Sequence, residues 1–221
     1  MGLFPADRTF YRIIHSQGSQ VVRDMLGEDY QGTIISDFFS AYNPLPYRKQ
    51  KCHSHLGREF HDVGERNETV EFLWLKRRVE RLRDDSVRLK ENREKYEPAV
   101  FQRRLQRLTQ RALELSDVEF TDPDSVRLAE RVLKYAAELF TFVEQPEVEH
   151  TNNLAERKLR PCVVIRKISG GNRSERGACA QENLMSLIVT CQQKGIDWFD
   201  YGKTVLQHFR GNVKEPVSVK G

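Results

Sequence analysis

Between residues 67 and 149 the chain states one pattern three times. Phe72, Leu75, Val79, Leu82 and Leu89 fall on helical spacing with heptad character. Phe101, Leu105, Leu108, Ala112 and Leu115 repeat it after Pro98. Ala129, Val132, Leu133, Ala136, Phe140 and Val143 repeat it again behind Asp122-Pro123, a helix start. An apolar stripe needs a partner, so the pattern predicts three helices packed as a bundle. Read this way the stripes are core, not a ligand box.

The flanks follow other rules. Thr9 to His15 (TFYRIIH) is β-branched and aromatic and reads as a strand, with a turn from Ser16 to Ser19. Gln20 to Leu26 reads as a short helix closed by Gly27. Gly32 to Asp37 (GTIISD) reads as a buried strand with Asp37 at its C-terminal tip, where open α/β sheets place their ligand sites. Phe38 to Pro46 is a loop or a short turn of helix, and Gln50 to Val63 begins extended and turns helical near Leu56. Past the block, Thr151 or Asn152 caps a helix with Glu156 near its start, and Pro161 ends or bends it. Ser169 to Gly177 is a polar, glycine-rich loop. Ala178 to Lys194 is a helix stopped by Gly195, and Asp197 caps a last helix.

Charge is distributed in blocks. Residues 76–111 hold thirteen Lys/Arg against six Asp/Glu, residues 112–149 three against ten, and residues 150–176 seven against two. Such runs are either solvated helix faces or a surface that neutralises phosphates. The four cysteines, Cys52, Cys162, Cys179 and Cys191, form no CxxC pair, which points to free thiols in a reducing, cytoplasmic setting. The sequence contains neither a signal-peptide pattern nor an apolar run of about 20 residues.

Four constellations carry candidate chemistry. Asp37 and Glu156 could share a divalent metal, which prefers carboxylate oxygens and substrate phosphate. A cap at Asp37 and an i, i+4 ion pair of Glu156 with Arg160 are the plainer alternatives. Cys52-x-x-His55 has zinc spacing but no second pair close by. A helix-start pair that bonds locally and steadies the Asp37 strand is the other reading. SGGNRSERG offers Gly170 and Gly171 for close backbone approach and Arg173 and Arg176 as anchors, yet lacks the ending of a nucleotide-binding P-loop. Trp74, among Lys76, Arg77 and Arg78, either stacks on an unpaired base or sits half-buried in the bundle.

Several blocks, in order, resemble the DDE transposases of the insertion sequence sixty-six type: TFYRIIHSQGSQVV with VVRDMLGEDYQG, TIISDFFSAYN, QKCHSHLGREFHDV, NNLAERKLRPCVVIRKISGG, SERGA and SLIVTCQQKG. The resemblance implies an α/β, RNase H-like mixed sheet in residues 1–66 and 150–210. An all-α insertion would occupy 67–149 and a tail 211–221. It implies strand transfer on DNA ends with Mg²⁺ or Mn²⁺. Asp37 and Glu156 would be the second and third catalytic, metal-holding acids, and Asn152, Asn153, Cys52 and His55 would support them. Arg157, Lys158, Arg160, Arg166, Lys167, Arg173 and Arg176 are the candidate DNA contacts. In the family the first acid lies two strands before the block at Thr9, and Asp7 does not match its context. The expectation is therefore a chain lacking the first strands and the first aspartate, with an exposed strand edge at Thr9 and an incomplete two-metal site. A complementing N-terminal fragment or a homo-oligomer would repair it. The alternative is a non-catalytic DNA-binding remnant or one half of a split transposase.

Overall fold

The computed structural model describes residues 2–3, 8–14 and 18–212. Asp7, the first half of the expected turn (Ser16 and Gln17) and residues 213–221 of the expected tail lie outside the described residues. In chain order the elements are β1 (Gly2–Leu3), β2 (Phe10–Tyr11), α1 (Ser19–Leu26), β3 (Thr33–Ser36), β4 (Arg48–Lys51), α2 (His53–Gly64), α3 (Val70–Glu91), α4 (Pro98–Leu113), α5 (Pro123–Lys134), α6 (Ala136–Leu139), α7 (Thr141–Glu144), α8 (Asn153–Ser169), α9 (Glu175–Gln193) and α10 (Trp198–Asn212). Helix dominates. The sheet expectation survives in a reduced form among the described residues, as the antiparallel pair β1–β2 and the parallel pair β3–β4. The chain divides into two compact units, Gly18–Asn153 and a second made of Met1–Gln17 with Leu154–Gly221.

The first unit buries the three stripes. Phe72, Leu75, Val79, Leu82 and Leu89 of α3 close on Phe101, Leu105 and Leu108 of α4 and on Leu128, Ala129 and Val132 of α5. Leu56 and Phe60 of α2 join the same cluster. Removing one such leucine side chain costs about 2–5 kcal/mol. The helix starts are tied as well as capped. Thr69 accepts the Phe72 N–H at 3.3 Å and Asp122 accepts the Ser125 N–H at 2.8 Å. Glu71 of α3 accepts the Thr121 and Asp122 amides just before α5. The two N-termini are thus held together by charge-assisted bonds.

The third stripe does not make one helix. It breaks at Tyr135 and Phe140, whose backbones turn out of the helical region (φ −111° and −117°). Bonds to β4 take over from the helical ladder there. The Phe142 N–H donates to Gln50 Oε1 at 2.8 Å, and the Thr141 hydroxyl donates to the Lys49 carbonyl at 2.7 Å. The break lets Tyr135, Leu139, Phe140, Phe142 and Val143 all face inward, which a straight helix could not achieve.

In the second unit the expected long strand at Thr9 shrinks to Phe10–Tyr11. The segment around it is paired with a helix. The Thr9 N–H donates to Thr190 Oγ1 at 3.0 Å, the Tyr11 N–H to Ser186 Oγ at 2.9 Å, and the Ile13 N–H to Glu182 Oε2 at 2.9 Å. The Thr190 hydroxyl lies 3.2 Å from the Thr9 carbonyl, and the Thr9 hydroxyl donates to Gln193 at 2.7 Å. The spacing explains the fit. Four helical residues rise about 6 Å, close to two residues of extended chain. α9 thus offers one side-chain acceptor for every amide on that side of the segment, and β1 takes the other side. The edge expected to be bare is covered. Glu182 is buried and also meets Arg12 at 3.1 Å.

Glu182→Ala leaves the Ile13 amide without its acceptor, a loss of about 1–3 kcal/mol. Hydrogen exchange should quicken by roughly tenfold or more at Ile13 and Tyr11 while the Leu75 amide keeps its protection. Unchanged protection at Ile13 would show that Glu182 does not hold the segment.

Candidate functional site

Asp37 follows β3 directly, as the sequence predicts. β3 and β4 run parallel with Ser36 opposite Lys51, and the Cys52 N–H donates to the Ser36 carbonyl at 2.8 Å. Asp37 Oδ1 accepts the Phe39 N–H at 3.0 Å, which turns the chain away from the strand. Beneath this corner lies Lys51, with no exposed surface. Its Nζ donates to the Asp37 carbonyl at 3.1 Å and contacts Ser36 Oγ at 3.3 Å and Glu138 at 3.9 Å. The Tyr135 ring centre is 4.8 Å away, and Phe38 and Tyr42 close the cage. Burial pushes the Lys51 ammonium below its ordinary pKa, with Glu138 and Asp37 opposing. In front of the corner is an open cleft of about 430 Å³, lined by Asp37, Phe38, His55, Arg58, Asp62 and Arg131 among others.

The Cys52 element is a latch. Cys52 Sγ accepts the Asn152 N–H at 3.3 Å, and the His53 N–H donates to the His150 carbonyl at 2.9 Å. His53 Nε2 bonds the Leu139 carbonyl at 2.8 Å, and the rings of Phe142 and His150 pack on it. The latch therefore ties the start of α2 to the segment that leads into α8. The partner at the helix start is His53, whereas His55 faces the cleft with Asp37. Asn152 is not the side-chain cap expected for α8, since its buried Oδ1 has no partner among the described residues. Asn153 is the first residue of α8 and is exposed.

Glu156 stands in the first turn of α8, half-buried. The helix does not end at Pro161. It runs to Ser169, although that proline has no amide to offer the Arg157 carbonyl. Arg157, Arg160, Arg166 and Lys167 are exposed on α8, and Arg173 and Arg176 on and just beyond the loop where Gly170 and Gly171 take φ of 70° and 90°. Lys158 differs from them. Its Nζ donates to Thr9 Oγ1 at 2.9 Å, its carbonyl accepts the Tyr11 hydroxyl at 2.6 Å, and burial lowers its pKa. Burial, with Cys162 adding to it, pushes Tyr11 up to about 12, so the phenol stays a donor. Asp37 belongs to one unit and Glu156 to the other, so the geometry of either unit fixes only one of the two acids.

Sequence reasoning missed Lys51 and the α9 acceptors, and it paired Cys52 with His55 where the structure uses the neighbouring His53. Lys51 sits beside Gln50 in a strand that reads RKQK, with no apolar signal. The α9 set had a signal, because Glu182, Ser186 and Thr190 recur every four residues with mostly apolar residues between them.

Comparison with known proteins places these residues in context. The model of the Transposase IS66 family matches residues 5–180. The chain is 33% identical over 78 residues to the uncharacterized protein y4jO of Sinorhizobium fredii, covering 35% of this chain and 24% of that protein. It is 25% identical over 210 residues to the uncharacterized protein y4qI of the same organism, covering 86% of this chain and 38% of that one. The chain thus spans less than half the length of both relatives. No solved structure matches.

Burial pushes His53 from the ordinary 6.5 down to about 3, against the bond to Leu139. The folded state then binds fewer protons than the unfolded chain between those values. The resulting stability is complete above pH 6.5 and is lost as pH falls toward about 3, at about 1.4 kcal/mol per pH unit. Urea unfolding of the wild type should show this acid slope, and His53→Gln should flatten it. Equal slopes in both proteins would remove His53 as the cause.

Proposed function

The chain belongs to the IS66 transposase family, and from that premise we propose that it is part of a DDE catalytic region that cuts and rejoins DNA at transposon ends by phosphodiester transesterification. The observation that carries the proposal is the Asp37 corner, a carboxylate at the C-terminal end of a parallel strand, fixed from below by buried Lys51. In this reading residues 1–66 and 150–210 contribute to an RNase H-like core and residues 67–149 are its all-α insertion. The parallel pair β3–β4 and the helical bundle are consistent with both parts.

Asp37 and Glu156 offer the carboxylate oxygens that Mg²⁺ or Mn²⁺ prefers. One Asp37 oxygen is engaged by the Phe39 amide, leaving the other for a ligand. Among the described residues no group of three or more His, Cys, Asp or Glu could hold a metal ion. The family resemblance adds a third carboxylate, which the proposal takes from a complementing segment, in cis or in trans. A bound metal pair would make an attacking water or hydroxyl competent at neutral pH and stabilise the leaving oxygen. This chain's residues hold and orient the DNA. Arg157 and Arg160 flank Glu156 and can grip phosphate oxygens bidentately. Arg166, Lys167, Arg173 and Arg176 add further exposed cations along α8 and just beyond it. Lys158, turned to Thr9, positions β2 against α8. Asn152, Cys52 and His55 steady the approach to both acids, and Asn153 opens the helix that carries the second. Val163, Val164, Ile165 and Ile168 of α8 are exposed together, an apolar face suited to the complementing segment or to a second copy of the chain.

The test is a divalent-metal nicking and strand-transfer assay on matched terminal repeats, with and without a segment bearing the first aspartate. Activity should need that segment. Asp37→Asn and Glu156→Gln should each lower it by about two orders of magnitude or more while DNA affinity stays within about twofold. Full activity without the segment, or indifference to both substitutions, would overturn the assignment. Salt-sensitive DNA binding that ignores Mg²⁺ and Glu156→Gln, with no cleavage in any combination, would establish the DNA-binding remnant instead.

A further inference from the structure

The helical bundle carries a second basic feature, remote in sequence from Asp37 and Glu156. α3 and α4 border a groove of about 630 Å³ lined by the apolar Val70 and Leu73, by Trp74, and by Arg77, Arg78, Arg81 and Arg111. Trp74 is 41% exposed, large for an indole in a packed bundle. Its ring lies 6.0 Å from that of Phe120 on one side, and the Arg78 guanidinium sits 5.3 Å from its centre.

The four arginines fall into two classes. Arg78 meets Glu114 at 2.7 Å and Arg111 meets Asp85 at 2.7 Å, so these two are already neutralised and serve as rigid walls. Arg77 and Arg81 carry no ion pair among the described residues and are exposed. They stand one helical turn apart, about 6 Å along the axis, close to one nucleotide step of a stretched strand. An apolar partner would leave both charges desolvated and uncompensated, which is expensive. An occupant that is flat, aromatic and flanked by anions satisfies every part of the groove. It would stack on Trp74 and place successive phosphates on Arg77 and Arg81.

We propose that this groove binds an unpaired nucleotide stretch of DNA, one base stacking on Trp74 and the adjoining phosphates held by Arg77 and Arg81. The inference rests on the reading of the chain as DNA-processing. It assigns the insertion a role in holding single-stranded substrate rather than serving only as a spacer.

The experiment measures binding of the full chain to a labelled short oligothymidine and to a duplex of equal length, in chelator so that metal chemistry plays no part. Trp74→Ala should weaken single-strand binding by about tenfold and leave duplex binding within about twofold, while Trp74→Phe retains most of the affinity. Arg77→Ala with Arg81→Ala should reduce the dependence of log affinity on log salt by about 1.4 for the single strand. Trp74 is half-exposed, so its replacement should leave the unfolding midpoint in place, and that midpoint is measured alongside. Equal losses for single strand and duplex, no loss with Trp74→Ala, or tighter binding of an acidic peptide than of the oligonucleotide would overturn the groove assignment. If wild-type chain binds neither DNA form, the DNA-processing reading fails with it. If both forms bind and only the Trp74 effect is missing, that reading stands and the groove assignment falls.

Discussion

A lysine with no exposed surface must have its charge answered inside the protein, and Lys51 organises the first unit around that requirement. Its ammonium group draws on the Ser36 hydroxyl, the Asp37 carbonyl, Glu138 and three aromatic rings. Those partners come from β3, from the turn after it, and from α6 with the residue before it. The corner at Asp37 is therefore not a loop free to sample conformations. It is held by the contacts that keep a buried cation solvated by protein. The breaks in the third apolar stripe belong to the same problem. Residues 135–144 give up regular helix so that Tyr135 and Glu138 can face Lys51 while Thr141 and Phe142 bond β4.

The latch at Cys52 and His53 extends this order to the chain beyond residue 149. A neutral, buried imidazole bonds the Leu139 carbonyl, a thiol accepts the Asn152 N–H, and the His53 main-chain N–H donates to the His150 carbonyl. None of these bonds needs a charge. Burying neutral groups that are hydrogen-bonded costs less than burying ions, which is why such a tie can sit in the core next to Phe142.

Elements with strong periodicity were legible in the sequence. The stripes of α3 and α4, the proline start of α5, the glycine stops at Gly27 and Gly195 and the Asp197 cap all stand where the residues put them. What the sequence concealed was decided by tertiary contacts. RKQK has no alternating pattern, so β4 and the burial of Lys51 depend on partners far along the chain. Pro161 signals a stop, but α8 runs through it to Ser169 despite the missing amide and the crowding of its ring against the Arg157 carbonyl. The site was half legible. Asp37 at a strand tip and Glu156 in a first helical turn could be read from local signals, whereas the roles of His53 and Lys158 depend on what faces them.

The pairing of α9 with the segment around Tyr11 has a consequence for how that edge behaves. A strand bonded to another strand can slip by two residues and regain every main-chain bond, because backbone groups are all alike. Here the acceptors are a carboxylate, a serine and a threonine at fixed positions, and a slip would set each opposite an amide with different neighbours. The edge is addressed by side-chain identity. It can be released or captured by changes on a helix surface, without any rearrangement of a sheet, and an arriving strand from another chain would have to displace three specific side chains rather than add to an open ladder.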